Sequence, residues 1–399
     1  MSDFFEVISQ DLSSKARLGS LKTDHGELQT PAFIFCGTKA TVKGVLPTSL
    51  IEVNTQIILS NTYHLMLQPG AEIIANSGGL QKFTNWNGPM MTDSGGYQIF
   101  SLGHGSVSEE IKGKNQTGRN KSLLKITEEG ASFKNYLNGD KILLTPEKSI
   151  DIQRDLGADL IFVLDECTPY NVDKNYTEKS MHMTHRWAKR CIQNFKIDNK
   201  NYTAQNGSAG LQQLYGIVQG GVYSDLRRQA CEEICSMDFD GLAIGGSLGG
   251  TKDQMYEVFE FCSSFIDPSK PVHVLGIGGL DDILEGVEKG FDTFDCVSPT
   301  RIARHGVMLS KNKNKGINLN NSCFKNDDSP LDENTGPSIG KSYSKAYLHH
   351  LFKSNEILGM TILSIYNIWF MNNFFSEIRS SIRDQKFASF KKNILSNFN

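Results

Sequence analysis

The chain has 399 residues, 39% of them hydrophobic and 21% charged, with a formal net charge of −3. That length can bury a sizeable core, and that composition excludes a disordered or fibrous chain. A near-neutral balance gives no global sign of nucleic-acid binding, although 311–399 holds 12 Lys/Arg against 7 Asp/Glu, a local surplus of +5 that suits either a phosphate backbone or a solvated lysine-rich face.

The N-terminal MSDFFEVISQDLSSKAR contains acids and no apolar stretch of signal length, and no run approaches a membrane span. Eight cysteines stand at 36, 167, 191, 231, 235, 262, 296 and 323 without a CxxC pair. Together these predict a cytoplasmic protein with free thiols.

Along the chain, short runs rich in Ile, Val, Leu and Phe end in a polar residue or glycine. They are 56–61 (QIILSN), 89–93 (PMMTD), 160–165 (LIFVLD), 214–219 (LYGIVQ), 242–246 (LAIGG), 272–276 (VHVLG) and 293–295 (TFD). Helix-period stretches lie between several of them, at 146–156, 176–195, 224–237, 252–265 and 280–289. Continuous apolar strands alternating with helices mean parallel strands covered by helices, and seven or eight such units predict an α/β (β/α)8 TIM barrel over 1–310. The polar 106–122 segment reads as an exposed insertion, and 311–342 is similarly irregular. Two helices, near 344–358 and 362–383, suggest that 311–399 is a small, mainly helical C-terminal subdomain completing the barrel. In such a barrel the loops after the strands build the site, so Asn61, Asp93, Asp165, Gln219, Gly246, Gly276 and Asp295 are expected at one mouth.

Three motifs carry chemistry. In Thr92-Asp93-Ser94-Gly95-Gly96-Tyr97-Gln98 two glycines let backbone amides approach a ligand beside Asp93 and Ser94. Gly216-Ile217-Val218-Gln219-Gly220-Gly221 repeats the pattern after a later strand. Phe294-Asp295-Cys296-Val297-Ser298-Pro299-Thr300-Arg301-Ile302-Ala303-Arg304 ends a strand in a carboxylate and follows it with two arginines three residues apart, suited to phosphate or a polar base edge. A strand-end Asp paired with Arg301 would account for the last motif alone.

With Asp165-Glu166-Cys167-Thr168-Pro169-Tyr170 between them, these motifs resemble the queuine tRNA-ribosyltransferases, the tRNA-guanine transglycosylases of bacterial type. The likeness runs from Ala16-Arg17-Leu18-Gly19 and Thr30-Pro31-Ala32-Phe33, through Asn61-Thr62-Tyr63-His64-Leu65, to Tyr347-Leu348-His349-His350-Leu351 and Asn355-Glu356-Ile357-Leu358-Gly359. The resemblance implies a pentosyltransferase that exchanges guanine at wobble position 34 of tRNAs with GUN anticodons (Asp, Asn, His, Tyr) for a 7-deazaguanine. Breaking one N-glycosidic bond and making another at the same carbon favours a carboxylate nucleophile that holds the ribose covalently. Asp295 matches that nucleophile and Asp93 the proton acceptor and donor. The resemblance assigns base binding to Asp93, Ser94, Gly95, Gly96, Asp165, Gln219 and Gly246, with Tyr97 and Leu275 sandwiching the ring. It assigns RNA binding to Gly276, Ile277, Gly278, Gly279, Leu280, Asp281 and Asp282, and to Thr300, Arg301, Ile302, Ala303 and Arg304. Anticodon bases can be splayed out and read singly, so overall basicity is not required.

Two positions depart from the family pattern. Its structural zinc is held by C-x-C-x-x-C and a downstream His, positions that fall here on Thr335, Pro337, Gly340 and Tyr366. None is a normal zinc ligand, so no metal or other cofactor is expected, and packing by Trp369, Phe370, Phe374 and Phe375 must hold the subdomain. Gly249 stands where many preQ1-using members have Val, a change that would widen the pocket for queuine or mark a plain turn, so both incoming bases stay open. The family's C-terminal module also makes dimer contacts, so with its zinc positions changed a homodimer is one of the oligomeric states left open. The main alternative is a non-catalytic tRNA-binding subunit of a heterodimer, which need not keep both Asp93 and Asp295. Archaeosine-type relatives append further RNA-binding domains, and a glycoside hydrolase on this barrel would want aromatic sugar platforms.

Overall fold

A computed structural model describes residues 4–98, 123–170, 172–198, 211–332 and 338–398. The insertion expected at 106–122 lies outside the described residues. An antiparallel sheet of β1 (Phe5–Gln10), β2 (Arg17–Thr23) and β3 (Gly26–Thr30) comes first. Then follow β4 (Ala32–Cys36), β5 (Ile58–Ser60) and β6 (Met90–Thr92). A second antiparallel sheet, β7 (Leu123–Thr127), β8 (Gly130–Lys134) and β9 (Lys141–Leu144), precedes β10 (Leu160–Phe162), β11 (Gln213–Val218), β12 (Gly241–Ile244), β13 (Val272–Val274) and β14 (Thr293–Cys296). The strands β4-β5-β6-β10-β11-β12-β13-β14 close into a parallel barrel with helices between them, the TIM-barrel architecture expected.

Seven of the eight barrel strands are those read from the apolar runs. The eighth, β4, went unrecognised as a strand, although its AFIFC sequence is buried at four of five positions. It pairs with β14 in the register Phe294↔Phe33 and Asp295↔Ile34.

The helices follow from local signals. In Pro146–Leu156, Thr145 Oγ1 accepts from the Lys148 amide at 3.2 Å, proline opens the first turn, and Gly157 ends the helix at φ +76°. The helix expected to run to 358 stops earlier, at Lys345–Lys353, and the next begins earlier, at Ile357–Arg383. Asn355, at φ +56°, is the reason, since a left-handed residue breaks the hydrogen-bond ladder.

The described residues form two compact units. One comprises Met1–Phe5, Lys22–Gly26 and Leu59–Leu275, the other Glu6–Leu21, Glu27–Ile58 and Gly276–Asn399. In the first, β10, β11 and β12 pair in parallel, with Phe162 opposite Tyr215 and Val218 opposite Ile244. In the second, the helix Ile357–Arg383 covers the β4–β14 pair. Phe375 lies 6.0 Å from Phe33 and 6.1 Å from Phe294, ring centre to ring centre. Arg17 grips Asp292 with two bonds, Nε to Oδ1 at 3.0 Å and Nη2 to Oδ2 at 2.6 Å.

Asn367 on the same long helix is fully buried and saturated. Its Nδ2 donates to the carbonyls of Pro299 (2.9 Å) and Val307 (3.0 Å), and its Oδ1 accepts from the Leu309 amide (2.9 Å). The C-terminal helix thus holds the segment carrying the two arginines. Among the described residues, no helix is long and apolar enough to cross a membrane.

Candidate active site

Asn61, Asp93, Asp165, Gln219, Gly246, Gly276 and Asp295 stand at or just past the carboxyl ends of their barrel strands, where a parallel barrel exposes polar backbone and side chains. In the first unit, the carboxylate of Asp93 accepts from Asn61 Nδ2 and, at 2.8 Å, from the Thr62 amide. The Thr62 hydroxyl donates to the Asp93 carbonyl.

Asp165 has a different setting. Ser94 Oγ donates to its Oδ1 at 3.1 Å and Gln219 Nε2 to its Oδ2 at 2.7 Å. Burial pushes its carboxyl up to about 6, against the pull of the Ser94 and Gln219 bonds, and the nearby Asp93 charge adds to the rise. The surroundings of Asp165 therefore favour keeping a proton.

Gln219 Oε1 is buried with no hydrogen-bond partner, an acceptor available to a ligand donor. The loops around it admit no larger residues. A Cβ on Gly96 would fall 2.3 Å from Asp165 Oδ1, and one on Gly246 would fall 2.1 Å from Gln219 Oε1. Ser94 is 3% exposed and fixes its turn, accepting from the Gly96 amide at 3.2 Å while its carbonyl accepts from Ser149 Oγ at 2.8 Å. Tyr97 is 46% exposed, and Leu275 is half-buried against the Gly245 turn. Gly249 sits at φ +112° with Gln254 Cβ 2.6 Å from where its own Cβ would be, so this turn calls for glycine whichever base enters.

Sequence reasoning missed Arg227. Fully buried, it donates to the carbonyls of Gly221 (2.7 Å), Val218 (3.0 Å) and Ser247 (3.2 Å). It therefore ties the loop bearing Gln219 to the one bearing Gly246. Nothing in the helix pattern around Arg227 distinguishes it from a solvated arginine.

In the second unit, Asp295 is 9% exposed and both its oxygens are engaged. The Gly276 amide donates to Oδ1 at 2.8 Å, and the Cys36 thiol to Oδ2 at 3.6 Å. Cys36 was also missed, although AFIFC ends in a polar atom as the other strands do. The loop 276–279 leads into the helix Leu280–Glu288, whose first turn carries Asp281 and Asp282, favourably placed against the helix dipole. Gly276 is exposed, Ile277, Gly278, Gly279, Asp281 and Asp282 are half-buried, and Leu280 is buried. In the helix Ser298–Ala303, Arg301 is exposed and Ile302 half-buried, while Thr300 and Ala303 are buried and serve packing. Arg304 donates to the Thr300 carbonyl at 3.0 Å, and burial beside Arg301 lowers its guanidinium below the usual arginine range.

Two of the four positions where the family zinc ligands fall are described. Thr335 and Pro337 lie outside the described residues. Gly340 has no side chain, and Tyr366 is 4% exposed with its ring 5.5 Å from Trp369. His349 Nδ1 lies 2.7 Å from the Leu319 carbonyl, and Cys323 is exposed. Phe370, Phe374 and Phe375 are buried as packing residues, and Trp369 is half-buried.

Comparison with known proteins gives one consistent result. The family model described as Queuine tRNA-ribosyltransferase matches residues 11–399. A queuine tRNA-ribosyltransferase of Roseiflexus sp. (strain RS-1) is 42% identical over 387 residues, covering 96% of this chain and 97% of that protein. One from Caldanaerobacter subterraneus subsp. tengcongensis is 43% identical over 396 residues, covering 99% and 97%. One from Natranaerobius thermophilus is 40% identical over 399 residues, covering 100% of both.

Proposed function

The chain belongs to the queuine tRNA-ribosyltransferase family of tRNA-modifying pentosyltransferases, and from that premise we propose a double displacement at the wobble guanine of tRNAs with GUN anticodons. A carboxylate oxygen of Asp295 attacks C1′ of the ribose. The C1′–N9 bond breaks, and its electron pair leaves with guanine, which takes up a proton. Asp93 in its protonated form donates that proton and, ionised as a result, takes one back from the incoming 7-deazaguanine. The freed ring nitrogen then displaces Asp295 from C1′, so one glycosidic bond is broken and one is made. Asp165, Gln219 and the Gly246 backbone read the base edge, Tyr97 and Leu275 cover its faces, and Arg301 and Arg304 contact the RNA alongside.

The observation that carries this reading is the Asp295 carboxylate at the end of β14, steadied by a backbone amide and a thiol. The unsatisfied Gln219 Oε1 beside a carboxyl pushed up to about 6 supports recognition of a heterocycle bearing both donors and acceptors. A cytoplasmic enzyme without the family zinc completes the proposal. Its supports are eight cysteines outside any disulfide and the donor-poor residues Gly340 and Tyr366 at the ligand positions.

Exchange of labelled guanine into unmodified tRNA tests the chemistry. Wild type should exchange and form an enzyme–RNA adduct that survives denaturation, and Asp295→Asn should do neither. Near-full activity in Asp295→Asn, or no exchange by wild type, overturns the reading. Incorporation of preQ1 and queuine measured side by side identifies the incoming base.

A further inference from the structure

We infer that Cys36 is a positioning residue for the nucleophile, its thiol holding the Asp295 carboxylate in the orientation for attack on C1′. The inference rests on the proposed role of Asp295. It begins in the strand register. Asp295 on β14 stands opposite Ile34 on β4, and in a strand residues two apart share a face, so Cys36 lies diagonally beside Asp295 on the same side of the sheet. The thiol then reaches Oδ2 at 3.6 Å, a normal separation for a sulfur donor, while the Gly276 amide holds Oδ1 at 2.8 Å. Two donors from two different strand ends, one on each oxygen, orient the carboxylate.

The chemistry of the donor is compatible with its place. A thiol is a weak hydrogen-bond donor, so it can orient the carboxylate while withdrawing little of the charge that makes it nucleophilic. The approach of C1′ to the carboxylate then costs little in lost bonding. An apolar side chain of similar volume at 36 would keep the packing and lose the orientation.

The experiment compares wild type with Cys36→Val and Cys36→Ser, using single-turnover formation of the covalent enzyme–RNA adduct and steady-state kcat and KM for tRNA. Cys36→Val should form the adduct about three- to tenfold more slowly, with kcat falling in step and KM for tRNA unchanged within about twofold. Cys36→Ser keeps a donor and should recover most of the lost rate. Thermal melting of both variants separates folding from positioning. An adduct rate in Cys36→Val equal to wild type overturns the inference, as does an equal loss in the Ser and Val variants. If wild type forms no adduct on Asp295, the proposed function falls as well. If the adduct forms equally in all three, only the role of Cys36 falls.

Discussion

Replacing Asp165 by Asn should stabilise the protein at neutral pH. The group is fully enclosed, and burial moves its carboxyl from the ordinary aspartate value of 3.8 to about 6. The folded value lies above the unfolded one, so the native state binds the proton more tightly. The resulting stability is fully present below about pH 3.8 and is lost as pH rises through about 6. At 1.36 kcal/mol per pH unit the penalty above pH 7 is on the order of 3 kcal/mol, and roughly half of it remains at pH 5. An Asn is uncharged throughout. Its oxygen can accept from Gln219 Nε2 and its amide can donate to Ser94 Oγ, so neither neighbour is stranded. Melting temperatures of wild type and Asp165→Asn should be compared from pH 5 to 8, with urea midpoints as a second measure. The variant should melt higher by about 2–4 °C at pH 7.5, with the gap narrowing towards pH 5. A variant less stable at pH 7.5, or a gap constant across the range, refutes burial as the origin of the raised value.

Gly96→Ala puts a methyl group into the space of Asp165 Oδ1, and should cut guanine exchange about 100-fold with far-UV circular dichroism unchanged. Exchange within a few-fold of wild type would mean that the Asp165 position is not critical. Arg227→Lys keeps the charge but loses the fork that reaches three carbonyls, and should cost about 2–3 kcal/mol in urea unfolding. Asn367→Ala strands two carbonyls and an amide, at a cost of about 2–4 kcal/mol by the same assay. Elemental analysis of protein purified without chelator should find substoichiometric zinc, and one zinc per chain would refute the metal-free C-terminal region.

The barrel was legible because its strands are buried on both faces and so read as unbroken apolar runs ending in polar groups. The TFD run, for example, becomes β14 with its first three residues buried. Strand β4 escaped because AFIFC lies close behind two antiparallel strands and is bounded by no helix-period stretch on its N-terminal side. The β7–β8–β9 sheet escaped as well, since LLKIT is broken by a lysine and GASFK carries only two apolar residues among five. In the site, Asp93, Asp165, Gln219 and Asp295 were visible as strand-end polar residues within long motifs. Arg227 and Asn367 were not, because each serves backbone carbonyls distant in sequence, and a carbonyl has no residue type to signal it. Cys36 shows the same limit, since its importance lies in a register with a strand 259 residues further along the chain.

That register has a consequence in time as well as space. The β4–β14 pair joins one of the first strands to be made to the last strand of the barrel, and the Arg17–Asp292 pair spans 275 residues. At synthesis rates of about 5–20 residues per second, β4 waits on the order of 10–60 seconds for its partner. During that interval the chain presents an apolar strand edge, with Phe33 and Phe35 among its side chains, and no β14 to cover it. A ribosome-bound chain stopped before residue 293 would therefore carry Asp93, Asp165 and Gln219 but not Asp295. The barrel closes only with its last strand, and a chain that stalls short of it is exposed to aggregation.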